Sequence, residues 1–290
     1  MRITAIFVQV WVLNRFQMKG ASYVKRVLLC VLAGTAFSFS IAAWSGIGHQ
    51  AIVALAQRNL TPAARENIAK YMDYDLKQDA SWMDKHREDQ ELRYCSKWHS
   101  FHVYPDTHLY NPTVRVGRGD AIYGIEYAWY NLGHYKDLTP EEVVLNLRFI
   151  LHFVGDMHCP VHVVYTGFKG PVVTEFKGKT VKSFHSFYDS MPTRLFRGKT
   201  PDEIASILDT LSDAEKAAVA AGTPKDWARE CGDRCTVIYE INPPDGKNPI
   251  VMDPDTDKKS RALVERQLRA AGYRMARILN ETFDPAFSRK

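Results

Sequence analysis

The run Leu151 to His162, LHFVGDMHCPVH, concentrates side chains that bind divalent cations. His152 and Asp156 stand four residues apart, which on a helix puts both on one face. Gly155 lets another element pack closely beside them. Pro160 ends the helix, and His162 lies just beyond the break. The same His-x3-Asp pair returns at His185 and Asp189. Imidazole and carboxylate on adjacent turns form a ligand set for zinc or another borderline divalent metal. Two such pairs with flanking histidines point to more than one metal. Further candidates lie upstream: His49 five residues after Trp44, Asp84 in Ser81-Trp82-Met83-Asp84, and His99 and His102 in Trp98-His99-Ser100-Phe101-His102. Each alone has an ordinary explanation as a core or surface residue, or as a helix cap. Together they form a constellation.

Helices must position these groups. Apolar spacing predicts one over His49 to Asn59, followed by a second that Thr61 caps with Pro62 at its first position. A short helix is expected over Asp79 to Arg87, and a further helix over Asp120 to His134. Thr139-Pro140-Glu141-Glu142 opens the helix that carries His152 and Asp156. Pro201 to Ala221, Pro224 to Tyr239 and Asp257 to Phe283 supply three more. The last places Val264, Leu268, Ala271, Met275 and Ile278 on one stripe. Val172 to Val181 reads as a β-hairpin turning at Lys177-Gly178-Lys179, and Pro243 to Asp255 as a loop. With no linker, repeat or low-complexity segment, the expectation is an all-α, mainly helical single domain with a small β-hairpin.

The chain has 290 residues, 46% of them hydrophobic, and a formal charge of +5. Residues 1–43 contain Arg2, Arg15, Lys19, Lys25 and Arg26 and no acid; removing those five from 38 basic residues leaves 33 against 33 acidic. The remainder is therefore neutral, and a nucleic-acid partner cannot be argued from bulk charge. Lys25-Arg26 before the apolar run Val27 to Phe39, with small residues at Ala42-Ala43, reads as a secretory signal. The run is shorter than the ~20 residues a membrane span needs. The expectation is a leader over 1–43, with Met1 or Met18 as its start, and a secreted or periplasmic domain over 44–290. Four cysteines then remain, and an exported protein permits disulfides. Cys231 and Cys235 are expected to close a local loop, with a half metal site as the rival reading; a Cys95–Cys159 bond is a guess.

In the order and spacing of these pieces, the chain resembles the zinc-dependent single-strand nucleases of the nuclease S1 and nuclease P1 family, with the plant bifunctional nucleases and the 3′-nucleotidase/nucleases. The resemblance runs from Trp44 to the C-terminal helix. It rests on Trp44 with His49, Ser81 to Asp84, Trp98-His99, His152 through His162, and His185 with Asp189. It implies a mainly helical fold, like that shared by phospholipase C and nuclease P1, around three zinc ions. Asp84, His99, His152 and Asp156 would hold one. The amino and carbonyl groups of Trp44, with His49 and a bridging Asp156, would hold the second. His162, His185 and Asp189 would hold the third. The implied activity is hydrolysis of single-stranded RNA or DNA to 5′-nucleotides, with 3′-nucleotidase activity. Asp84 and Asp156 would be catalytic through their metals, and Arg87 would steady charge on the phosphate. No stable protein partner is implied.

The substrate side departs from the family. Ser100 stands where an aromatic residue stacks on a base, and His102 where an Asp or Asn contacts it. Cys159 replaces a Gln, and the Gly-Gly-Asn element expected between His162 and His185 is missing. The implied ligands survive while the implied base pocket does not. Two alternatives stay open: a zinc phosphoesterase of the same architecture acting on a non-nucleotide phosphodiester, as in phospholipase C, and a non-catalytic zinc-stabilised binding protein.

Overall fold

A computed structural model of the chain describes residues 44–114, 119–166, 174–181, 183–240 and 250–287. The expected leader lies outside them. The helices are α1 (Gly46–Arg58), α2 (Pro62–Ala69), α3 (Trp82–Lys85), α4 (Ala121–Leu132), α5 (Pro140–Met157), α6 (Phe184–Asp189), α7 (Met191–Leu195), α8 (Pro201–Leu208), α9 (Asp213–Ala220), α10 (Pro224–Glu240) and α11 (Pro254–Phe283). The strands, three residues each, are β1 (Phe101–Val103), β2 (Val163–Tyr165), β3 (Thr174–Phe176), β4 (Lys179–Val181) and β5 (Ile250–Met252). The architecture is mainly α, as expected.

The caps explain where helices begin. Thr139 accepts from the Glu142 amide while the Glu142 carboxylate accepts from the Thr139 amide, with Pro140 at the first position of α5. Thr61 caps α2 through the Ala64 amide, and Asp120 caps α4 through the Tyr123 amide. The predicted helix over Pro201 to Ala221 is two helices. Asp209 ends α8, and Ser212 with Glu215 forms a new capping box for α9, a start signal that the apolar periodicity masked.

α1 and α5 are central. In α1 the run Ala51 to Ala56 is buried on every side, and it packs on α11 and α8. α5 is buried throughout from Phe149 to Met157 and packs along α4. A helix apolar all round belongs in the middle of a domain. Asn280 of α11 locks the start of α2, its amide oxygen accepting from Thr61 N and its amide nitrogen donating to Asn59 O.

Two strand pairings went unread in the sequence. β1 lies parallel to β2, with Phe101 opposite Val163 and Val103 opposite Tyr165. This pairing fixes the segment after His99 beside the segment after His162. The hairpin β3–β4 forms around Lys177 and Gly178, both at positive φ (51° and 67°), the left-handed backbone of a tight primed turn. The expected loop over Pro243 to Asp255 contains β5, which pairs parallel with β3, and α11 already begins at Pro254; residues 241–249 lie outside the description.

The expected disulfides are a correction. Cys95, Cys159, Cys231 and Cys235 are all buried free thiols. Cys231 and Cys235 sit on successive turns of α10, where the helix already fixes the backbone, and Gln267 Nε2 approaches both sulfurs, at 3.2 and 3.8 Å. Cys95 donates to Leu92 O, and Cys159 is turned to Asp189 instead. Among the described residues no helix is long and apolar enough to cross a membrane.

Candidate metal centre

Four turns of chain converge on Asp156. α5 projects His152 and Asp156 from adjacent turns, both fully buried. α1 brings His49, whose ring stacks on His152 with centroids 4.4 Å apart. That approach requires Gly155: a Cβ there would stand 2.7 Å from His49 Nδ1. The short α3 presents Asp84, and His99 enters just before β1.

The two oxygens of Asp156 face different partners. Oδ2 lies 2.7 Å from His99 Nδ1 and 3.1 Å from His152 Nε2. Asp84 Oδ1 completes this group, 3.7 Å from each of the same nitrogens. Oδ1 of Asp156 lies 3.3 Å from His49 Nε2. The second His-x3-Asp pair forms a neighbouring group: His185 Nε2 is 3.2 Å from Asp189 Oδ2 and 3.2 Å from His162 Nε2.

Tautomers follow from the outer contacts. His152 Nδ1 donates to Ala80 O (2.9 Å), and His162 Nδ1 donates to His99 O (2.6 Å). Each ring therefore turns the lone pair of Nε2 inward, the arrangement that metal-binding histidines use. Donor-to-donor distances of this kind, with two imidazole nitrogens facing each other, match the ~3.3 Å edge of a tetrahedron built on ~2.0 Å bonds. His49 Nε2, Asp84 Oδ1 and Asp156 Oδ1 are buried and have no hydrogen-bond partner. Buried polar atoms without partners are costly, and a cation at each convergence would satisfy them. By this test the donor set fits a divalent metal of borderline character.

The electrostatics agree. Burial alone disfavours charge on both Asp156 and His152. Their attraction overrides it, holding Asp156 well below the usual carboxylate range and raising His152 to about 9. The carboxylate thus draws the nearest available cation, here a proton. Burial lowers His99 despite Asp156 and Asp84 nearby, and takes His162 down to about 3, so both offer free lone pairs. Burial, with Asp156 and Asp84 adding repulsion, lifts Asp189 to about 8. The ionised Asp156 beside the neutral His99 and His162 makes a deep site that draws positive charge.

Among the described residues, three groups of side chains could each hold an ion: His49 with His152 and Asp156; Asp84 with His99 and His152; and Cys159 with His162 and Asp189. Sequence reasoning missed Cys159, treating it as a disulfide candidate. Its thiol donates to Asp189 Oδ1 at 3.5 Å, and burial with the Asp189 charge pushes it far above the ordinary thiol range. The signal available was its place between Asp156 and His162. Trp44 is fully buried; its indole N–H donates to Gly155 O (2.9 Å), and the next amide, Ser45 N, donates to Asp189 O (2.8 Å).

Above these groups opens a cleft of about 550 Å³, with His99, His162 and His185 on its floor and Arg87, Arg93, Lys97 and Ser100 on its wall. Arg93 and Lys97 carried no signal in the sequence beyond their charge. The lining includes Ser100 but not His102, which sits half-buried on β1 with its basicity lowered by burial.

A sequence profile of the family described as S1/P1 nuclease matches residues 44–284. The chain belongs to the S1/P1 nuclease family. Among its relatives are Endonuclease 2 of Arabidopsis thaliana, 27% identical over 84% of this chain and 92% of that protein. Nuclease P1 of Penicillium citrinum is 25% identical over 82% and 97%. Nuclease S1 of Aspergillus oryzae is 21% identical over 82% and 91%. For this S1/P1 family member, the matched span takes in every side chain of the convergence around Asp156.

Proposed function

We propose that this protein is an exported zinc-dependent hydrolase that cleaves single-stranded RNA and DNA to 5′-phosphorylated products and removes phosphate from 3′-nucleotides. The observation that carries this reading is the split of Asp156, one oxygen toward His99 and His152 and the other toward His49. A carboxylate bridges two cations in this way; a neutral imidazole has only one lone pair to give. Asp84, His99, His152 and Asp156 would hold one zinc. His49, Asp156 and the amino and carbonyl groups of a Trp44 N-terminus would hold the second, and His162, His185 and Asp189 the third. The bound ions supply Lewis acidity toward a water and the phosphoryl oxygens.

The chain's own groups set the geometry. His152 and His162 are oriented by Ala80 O and His99 O, so their rings need not turn for binding. Arg87, on the cleft wall, steadies charge on the phosphate through its fork of N–H donors. The buried floor excludes bulk water and strengthens every charge interaction within it. Family membership supports the nuclease reading, and the sequence pattern of residues 1–43 supports export.

A second reading, hydrolysis of a non-nucleotide phosphodiester, draws on Ser100: the cleft wall beside His99 carries a hydroxyl and no ring. The test is zinc content of protein beginning at Trp44, with rates on single-stranded RNA, single-stranded DNA, a 3′-nucleotide and a choline phosphodiester. About three zincs per chain and activity confined to the nucleotide substrates are expected. Turnover of the choline ester alone would select the second reading, and absence of metal would remove both.

A further inference from the structure

Beside the cleft, the wall continues into a face of exposed aromatic rings. Tyr94 follows Arg93 and precedes Lys97, two of the three cations that line the cleft. Its ring meets Trp98 edge-on at 5.4 Å, and Trp98 meets Tyr123 of α4 at 5.0 Å. Tyr123, Tyr127 and Tyr130 then follow at steps of four and three, along one helix face. Tyr123 and Tyr127 lie 6.1 Å apart with their planes only 24° from parallel. Tyr130 is 72% exposed, Tyr94 47% and Tyr127 42%. The other large ring of the helix, Trp129, turns the opposite way and stacks on Trp227. α4 thus divides its aromatics between core and solvent. Its one acid, Glu126, is matched by Lys225 at 3.3 Å.

We propose that Arg93 and Lys97 with Tyr94, Tyr127 and Tyr130 form a track for single-stranded nucleic acid outside the metal cleft. The proposal rests on the nuclease reading above and deepens it by naming a strand, several nucleotides long, as the substrate. Cations along a backbone path with rings beside them are what unpaired strands need, because every base has a face that stacks and every linkage has a charge. A duplex hides those faces. Tyr123 to Tyr130 spans about 10 Å of helix at 1.5 Å per residue, room for one or two nucleotides. Tyr94 joins that face to the cleft mouth. The track also supplies the stacking surface that Ser100 does not.

The test compares a strand with a substrate too short to reach α4. Binding of fluorescein-labelled, phosphorothioate-linked dT12 to the zinc-loaded protein is followed by anisotropy, and kcat/KM is measured on a 3′-mononucleotide. The double variant Y127A/Y130A should weaken dT12 binding by about tenfold or more, with the mononucleotide rate within about twofold. Y127F/Y130F, which keeps both rings, should bind dT12 as the parent does. R93A/K97A should flatten the slope of log affinity against log salt by about 1.4, two phosphate contacts at ~0.7 each on a single strand. Unchanged dT12 affinity in Y127A/Y130A, or equal losses on dT12 and the mononucleotide, overturns the track. A protein that cleaves strands while Y127A/Y130A loses nothing keeps the nuclease reading without the track. A protein that binds dT12 through these rings yet cleaves no nucleic acid keeps the track without the reading.

Discussion

Asp156, His152 and His49 lie fully buried on two central helices, whereas Arg87, Arg93, Lys97 and Ser100 come from the turns between α3 and β1, which reach solvent. The groups beneath the cleft floor are therefore held by core packing, and the wall, with His99 of the floor, by local loops. Displacing a floor side chain disturbs a packed interior. Changing a wall side chain other than Arg87, which faces phosphate charge in the proposed reaction, alters only what the cleft admits. Chemistry and substrate choice are thus carried by physically separate parts, and substitutions should divide the same way.

The largest effect is expected at the bridge. Asp156→Asn removes the charge that faces both imidazole groups, and kcat/KM should fall about a thousandfold or more, some 4 kcal/mol of transition-state stabilisation. Normal zinc content with near-normal turnover would break the division at its centre. Next, Asp189→Ala removes a carboxylate from the His162–His185 group alone. About one zinc per chain should be lost, with about a hundredfold lower rate. Loss of all the zinc by elemental analysis would mean that the floor is one cooperative unit.

A smaller loss is expected at a residue that touches no metal. Gly155→Ala puts a Cβ 2.7 Å from His49 Nδ1, so His49 must move. Zinc affinity and activity should fall about ten- to a hundredfold, as for other contacts that orient ligands. Parent-like activity in that variant would show that the floor yields more readily than its packing implies. The smallest effect belongs to the wall. Ser100→Phe should lower KM for nucleotides by up to about tenfold through added stacking, with kcat little changed. A large change in kcat would erase the distinction between floor and wall.

The same division decides what was legible in the sequence. His152, Asp156, His185 and Asp189 stand out because helix geometry converts a spacing of four into a shared face. The capping residues Thr61 and Thr139 mark helix starts for an equally local reason. The β1–β2 pairing joins segments about sixty residues apart through three-residue strands, too short for a period to register. Cys159 was misread because pairing thiols is a guess about distance in space, and Asp189 was its true neighbour. Tyr94, Tyr127 and Tyr130 were invisible as a group, since their continuity with the cleft runs through Trp98.

Trp44 and Ser45 reach Gly155 and Asp189 through two hydrogen bonds, the first across 111 residues of chain. A ribosome delivers the chain from its N-terminal end, so the earliest residues of the domain wait for nearly the latest residues of the site. No partial chain ending before Asp189 can close this pair of contacts. Closure over such separations is slow compared with helix formation. Assembly of the hydrolytic centre is thereby tied to synthesis past Asp189, and a product cut short before that residue would be left without it.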